Sequence, residues 1–262
     1  MSLVGTIALL VASGAPAQAA EGLDYVALGD SYAAGVGALN YDPASGDCKR
    51  SPNGYPTLWA DAHSVTSFAN VGCNGATLAD VRSTQLAALN QDTDVVTISI
   101  GGNDVASTET AVACLLGSDA NCTAAVDRSV SYIDQTLGTD LDSTFAAIRQ
   151  AAPNASVTVV GYPLFTDEAA TSCGLSLTKR RALNRGTAAL DGKLSERAEA
   201  AGFGFADARS AFDGHGVCSA VSWINPFSLS QLRETFHPTA VGYRQGYLPL
   251  LDAILPAEEK HR

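Results

Sequence analysis

The sequence is poor in charge, and poorest in positive charge. Only 16% of its 262 residues are charged, 27 acidic side chains outnumber 16 basic ones, and the net charge is −11. No basic residue precedes Lys49. Such a chain has no basic field to draw in nucleic acid or anionic lipid over a distance, so a polyanion partner is not expected. No stretch reaches roughly 18 consecutive apolar residues, so no stable membrane anchor is expected. The four histidines, His63, His215, His237 and His261, lack metal-site spacing and no Cys-x-x-Cys pair occurs, so no metal and no other cofactor is expected. Gly29-Asp30-Ser31-Tyr32-Ala33 lacks the second glycine of the nucleophile elbow of α/β-hydrolases. Neither Gly35-Val36-Gly37 nor any later stretch completes a phosphate-binding glycine loop.

The beginning of the chain is different. Residues 1–20 carry no charge, include the apolar run Val4 to Val11, and end in Ala17-Gln18-Ala19-Ala20. This resembles a secretory signal peptide without its usual cationic start, cleaved after Ala19. Residues 21–262 are then one domain, soluble and exported, acting as a monomer. Six cysteines, Cys48, Cys73, Cys114, Cys122, Cys173 and Cys218, suit an oxidising compartment and three disulfides. Many pairings are possible on sequence alone. Consecutive pairing has a local logic, since each bridge would staple one loop.

Strands alternate with helices. Leu23 to Leu28 is an apolar, buried strand that stops at Gly29-Asp30-Ser31-Tyr32. The stretch from Tyr32 to Pro56 is rich in Gly, Asn, Asp and Pro and is too long for a plain connection. A short helix is expected from Tyr55 to His63 and a strand from Val65 to Ala69. Thr77 is expected to cap a helix reaching about Leu89. Asp94 to Ile100 is the clearest strand, and it stops at Gly101-Gly102-Asn103-Asp104, repeating the pattern before Ser31. Residues 129–152 read as helix, Ser156 to Gly161 as strand, Thr178 to Ala201 as a long helix capped by Thr178, and Phe203 to Asp207 as a last short strand. Between Asp104 and residue 129 only the turn Gly117-Ser118-Asp119 stands out. Phe212 to Glu234 is irregular. Pro238 keeps His237 out of the α region, and Thr239 is expected to cap a terminal helix running towards Ile254. This alternation implies a three-layer α/β/α sandwich around a central parallel sheet, with Ser31 and Asn103 at one edge.

A serine hydrolase needs a nucleophile, a base within hydrogen-bond reach, and donors for the oxyanion. Ser31 is the nucleophile candidate and His237 the base, while the Ser31 and Gly72 amides and the Asn103 side chain are the donor candidates. Asp30 and Asp104 are read as turn-fixing groups rather than as acid–base catalysts.

These residues carry a family resemblance. Gly29-Asp30-Ser31, Gly72, Gly101-Gly102-Asn103-Asp104 and Glu234-Thr235-Phe236-His237-Pro238 resemble the four ordered blocks of the SGNH, or GDSL-type, hydrolases, and with six cysteines the chain is similar to secreted actinomycete lipases, esterases and phospholipases. The resemblance implies a flavodoxin-like sandwich, the pairs Cys48–Cys73, Cys114–Cys122 and Cys173–Cys218, and an acyl-enzyme on Ser31. Many members have an aspartate three residues before the histidine, where this chain has Glu234. Its side chain could complete a triad, or a backbone carbonyl of Glu234 or Thr235 could orient His237, the reading we favour. The expected function is a secreted serine ester hydrolase (lipase, esterase or phospholipase A) acting on an ester or lipid substrate. Two alternatives are a carbohydrate esterase with Trp59, Trp223, Tyr41 and Tyr55 as a sugar platform, and a non-catalytic binding protein on the same fold.

Overall fold

The computed structural model describes residues 22–256, so the expected signal peptide lies outside the described residues. Five strands form one all-parallel sheet in the order β2-β1-β3-β4-β5: β1 Leu23–Gly29, β2 Val65–Asn70, β3 Val95–Ser99, β4 Ser156–Val160 and β5 Gly204–Ala206. β1 and β3 run side by side, with Tyr25 opposite Val95 and Gly29 opposite Ser99. From β1 the chain moves outward to β2, and from β3 outward the other way to β4 and β5. The order therefore reverses between β1 and β3, where open parallel sheets bind their ligands beyond the strand ends.

The central strands are buried on both faces, which explains their apolar runs. Every residue of β3 is buried, including Thr97 and Ser99. Their hydroxyls are matched: Tyr25 Oη lies 2.8 Å from Thr97 Oγ1, and Tyr55 Oη 3.0 Å from Ser99 Oγ. Gly29, with φ +124°, abuts the Ser99 carbonyl, and any Cβ there would collide with it.

Ten helices flank the sheet among the described residues: α1 Ser31–Ala34, α2 Tyr55–Ala62, α3 Leu78–Asp80, α4 Ser107–Leu116, α5 Asp119–Tyr132, α6 Gly138–Ala151, α7 Leu177–Ala200, α8 Ala208–Ala211, α9 Ala240–Gly242 and α10 Leu248–Asp252. α2 packs with α10, while α5 and α6 pack on α7. The three-layer arrangement is the one expected. The disulfides are Cys48–Cys73, Cys114–Cys122 and Cys173–Cys218.

Several helix boundaries differ from the expectation. Thr77 does cap, in a reciprocal box with Asp80, but the helix gives way to a π turn at Val81–Gln85 and a 3-10 turn at Leu86–Ala88. The turn lets the Gln85 side chain accept from the Gly29 N–H (2.7 Å) and donate to its carbonyl (2.9 Å), acting as a short extra strand beside β1. The expected helix over 129–152 starts ten residues earlier, at Asp119, and has a π turn at Ile133–Leu137. α4 was not anticipated. Gly117 ends it and Ser118 caps α5, with Cys114–Cys122 holding the two helices together. Ser176, not Thr178, caps α7, accepting from the Lys179 N–H at 3.2 Å. Thr239 caps α9 as expected, followed by a π turn at Tyr243–Tyr247.

Candidate active site

Ser31 owes its position to Asp30. The Asp30 amide extends the β1 ladder by donating to Ser99 O at 2.8 Å, and its carboxylate accepts the Tyr32 N–H at 2.9 Å, which makes Asp30 the N-cap of α1. Ser31 is the first helical residue, so its N–H has no intrahelical acceptor. α1 closes after one turn at Gly35 in the left-handed conformation. The second Asp30 oxygen accepts a 2.5 Å hydrogen bond from Tyr162 Oη, at the end of β4. Burial pushes the Asp30 pKa up to about 7, against the lowering pull of the Tyr162 and Tyr32 bonds. Asp104 accepts the Leu78 N–H with both oxygens, at 3.1 and 3.2 Å, and so holds the start of α3. Both aspartates do the structural work expected of them.

His237 arrives from the other end of the chain. A short antiparallel bridge pairs Ile224 with Pro238, and Asn225 donates to the His237 carbonyl through its backbone (2.8 Å) and its side chain (3.0 Å). Phe236, at φ +62°, directs its carbonyl to Tyr32 Oη (2.6 Å) and stacks its ring on Phe165. The His237 Nδ1 lies 3.1 Å from the Thr235 carbonyl, which can only accept, so Nδ1 carries the proton. Nε2 is then left as an acceptor, 2.7 Å from Ser31 Oγ. Burial pushes the imidazole pKa down to about 4, with the Thr235 carbonyl pulling the other way, so the ring is a neutral base at ordinary pH.

Glu234 does not complete a side-chain triad. Its carboxylate makes no hydrogen bond to the imidazole, accepting instead from Tyr41 Oη at 3.0 Å with Lys49 Nζ at 3.7 Å. Its backbone carbonyl accepts the His237 N–H at 3.0 Å. The side-chain alternative is thus corrected: the Thr235 carbonyl orients the imidazole, and Glu234 ties the histidine loop to the loop stapled by Cys48–Cys73.

Gly72 is also corrected. It is buried, its N–H donates to Asn70 Oδ1 at 3.0 Å, and a Cβ there would press on Ala33 and Ala34 at 2.9 Å. The missing side chain lets the loop pack on α1, and the amide is already engaged. Gly75, three residues further on, offers an amide instead. It is exposed, has φ +84° with open space around it, lines the same cavity as Ser31, and its N–H has no partner among the described residues. Asn103 lines that cavity too, with Nδ2 donating to Ala76 O at 2.8 Å. One bond fixes the amide, and its second N–H remains for a ligand.

The cavity has a volume of about 600 Å³. From Ser31 and His237 it extends along α4 and between α5 and α7, where Val105, Ala111, Val126, Leu183 and Leu190 line it. None of Trp59, Trp223, Tyr41 and Tyr55 lines it: Trp59 and Tyr55 are fully buried, Trp223 stacks on His215, and Tyr41 is engaged with Glu234. The aromatic platform foreseen for a sugar is not assembled.

Comparison with known proteins gives the chain's relatives. The model of the GDSL-like Lipase/Acylhydrolase family matches residues 27–245. Lipase 1 of Streptomyces coelicolor is 44% identical over 254 residues, 96% of this chain and 95% of the relative. Among solved structures, phospholipase A1 from Streptomyces albidoflavus NA297 superposes with a TM-score of 0.87 and an extracellular lipase from Streptomyces rimosus with 0.86. Each is 42% identical and covers 88% of this chain and 99% of its own.

Proposed function

This chain belongs to the GDSL-like lipase/acylhydrolase family and is a carboxylic ester hydrolase, and from that premise we propose that Ser31 and His237 cleave acyl esters of lipids outside the cell. Ser31 Oγ attacks the ester carbonyl carbon while His237 Nε2 takes its proton. The tetrahedral oxyanion is held by the Ser31 and Gly75 amides and the free N–H of Asn103. Its collapse breaks the bond to the alcohol oxygen, which leaves with the proton from Nε2. Water, deprotonated by the same nitrogen, then attacks the acyl-Ser31, and the second collapse frees the acid and restores the serine. The Thr235 carbonyl keeps Nδ1–H in place throughout, so the imidazole needs no carboxylate partner to present Nε2.

The observation that carries this reading is the 2.7 Å contact between Ser31 Oγ and His237 Nε2 on the wall of a mainly apolar cavity. An apolar tunnel suits an acyl chain, since each buried methylene contributes about 0.8 kcal/mol. Export is supported by the three disulfides and by the leader-like residues 1–20, which would leave a single domain from residue 21. The test is hydrolysis of p-nitrophenyl esters of increasing chain length by wild type and Ser31→Ala. Activity rising with chain length in wild type and absent in the variant is expected. A preference for acetyl esters over all longer chains would favour the carbohydrate reading instead.

A further inference from the structure

The described residues include eleven large hydrophobic side chains that are exposed, and five of them, Val112, Leu116, Phe227, Leu229 and Leu232, border the one cavity that contains Ser31. They come from two segments distant in sequence, the second half of α4 and residues 227–232, which both line the cavity. Leu229 is 80% exposed and Leu116 72%. Single exposed leucines are ordinary, whereas a contiguous apolar rim marks a surface that meets something apolar. The rim is also almost free of charge. In a chain of net charge −11, no carboxylate among the described residues lines the cavity except the buried Asp30, and the only Lys or Arg among them that lines it is Arg233, next to Leu232.

We propose that this rim is a docking surface for aggregated, electrically neutral lipid, into which Leu116 and Leu229 insert while Arg233 meets a headgroup phosphate. The inference rests on the lipid-ester reading above and adds where the molecule sits when it takes substrate. The rim is continuous with the acyl cavity, so a chain leaving the lipid phase passes into the protein without crossing water. Among the described residues Arg233 has only Asp47, 3.8 Å away and fully exposed, as an ionic partner, a pairing weak enough for a phosphate to replace. Its aliphatic stem can lie along the apolar layer while the guanidinium stays at headgroup level. The acidic remainder of the molecule disfavours an anionic surface. No helix among the described residues is long and apolar enough to cross a membrane, so attachment would be peripheral and reversible. A second copy of the chain is a poorer occupant, because a two-fold contact through the rim would set two mouths against each other and close both cavities.

The test uses sedimentation with sucrose-loaded phosphatidylcholine vesicles, in a Ser31→Ala background so that the lipid stays intact. Leu116→Ser combined with Leu229→Ser is expected to weaken vesicle partitioning by about tenfold or more. Val221→Ser, an equally apolar exposed site away from the cavity, is expected to leave it unchanged. With Ser31 restored, the double variant should hydrolyse dissolved p-nitrophenyl acetate within about twofold of wild type, which also shows that it folds. Vesicles of phosphatidylglycerol should bind the parent protein less than phosphatidylcholine does. Equal binding by parent and double variant, an equal loss in Val221→Ser, or a dimer that the double variant dissolves would overturn the proposal. Absence of ester hydrolysis in wild type would instead overturn the functional reading on which it rests.

Discussion

The Tyr162 hydroxyl donates a 2.5 Å hydrogen bond to Oδ2 of Asp30, so the end of β4 braces the residue that caps the helix bearing Ser31. Tyr162 is itself fixed, since its backbone N–H donates to Asp191 Oδ1 at 2.9 Å from inside α7. Tyr162 is therefore a positioning residue acting on Ser31 through Asp30. In Tyr162→Phe, kcat is expected to fall with KM little changed, and urea unfolding should show a loss of about 1–3 kcal/mol, since a buried carboxyl loses its strongest donor. A KM effect of the same size as the kcat effect would point to a direct contact with substrate.

The pH dependence of activity and that of stability should run in opposite directions. His237, pushed down to about 4 by burial, stays neutral under mildly acid conditions. The acid limb of kcat/KM for an uncharged, soluble ester is thus expected well below pH 6.5, which a profile from pH 3.5 to 8 would reveal. For stability, the unfolded chain binds more protons at His237 between about 4 and 6.5, so that contribution is present above pH 6.5 and lost as pH falls through about 4. Asp30 and Asp191, raised by burial to about 7 and about 8, act in the other sense. The folded chain holds their protons above pH 3.8, so their contribution is present below that and lost as pH rises through 7 and 8. Two such carboxyls outweigh one imidazole, and the thermal midpoint is expected to fall between pH 5 and 8. Asp191→Asn should flatten that fall.

Glu234→Gln separates the two ways of orienting the histidine. Glutamine keeps an acceptor for Tyr41 Oη and gives up only the Lys49 attraction, so kcat/KM is expected within about threefold of wild type. His237→Ala should lose roughly a thousandfold or more. If Glu234→Gln matched His237→Ala while remaining folded by circular dichroism, the Thr235 carbonyl would not be a sufficient orienter.

Ala111 lines the cavity from α4, and Ala111→Phe should fill its inner part. The preferred p-nitrophenyl ester is expected to shift to shorter chains, with each methylene no longer accommodated losing up to about 0.8 kcal/mol of transition-state binding, close to fourfold in kcat/KM. Hydrolysis of the acetate should be unaffected, because that acyl group ends beside Ser31.

The strands were legible because burial on both faces forces apolar runs, as in Val95 to Ser99, and because each central strand ends abruptly in glycine. Ser31, Asn103 and His237 were legible for the same reason, each standing at a strand end or before a proline-locked cap. Gly72 and Gly75 could not be told apart by composition. Which amide is free depends on the Asn70 side chain and on φ at each glycine, although the Asn74-Gly75 dipeptide, a frequent left-handed turn, was a signal in favour of Gly75. The π turns at Val81–Gln85 and Ile133–Leu137 leave the apolar rhythm of their helices almost unaltered, so nothing in the pattern marked them. Ser176 and Thr178 are both capping residues two positions apart, and the choice was made by the fold, in which Ser176 Oγ also donates to Asp119 at 2.7 Å.

The pair formed by Ser31 and His237 spans 206 positions of chain. The nucleophile lies near the start of the described chain and the base near its end, where Asn225 ties His237 to Gly37 in the loop after α1. Contacts of such sequence separation form late and slowly. A fragment ending short of residue 237 lacks the base, and with it the buried Tyr243, Tyr247 and Leu251 of the terminal segment.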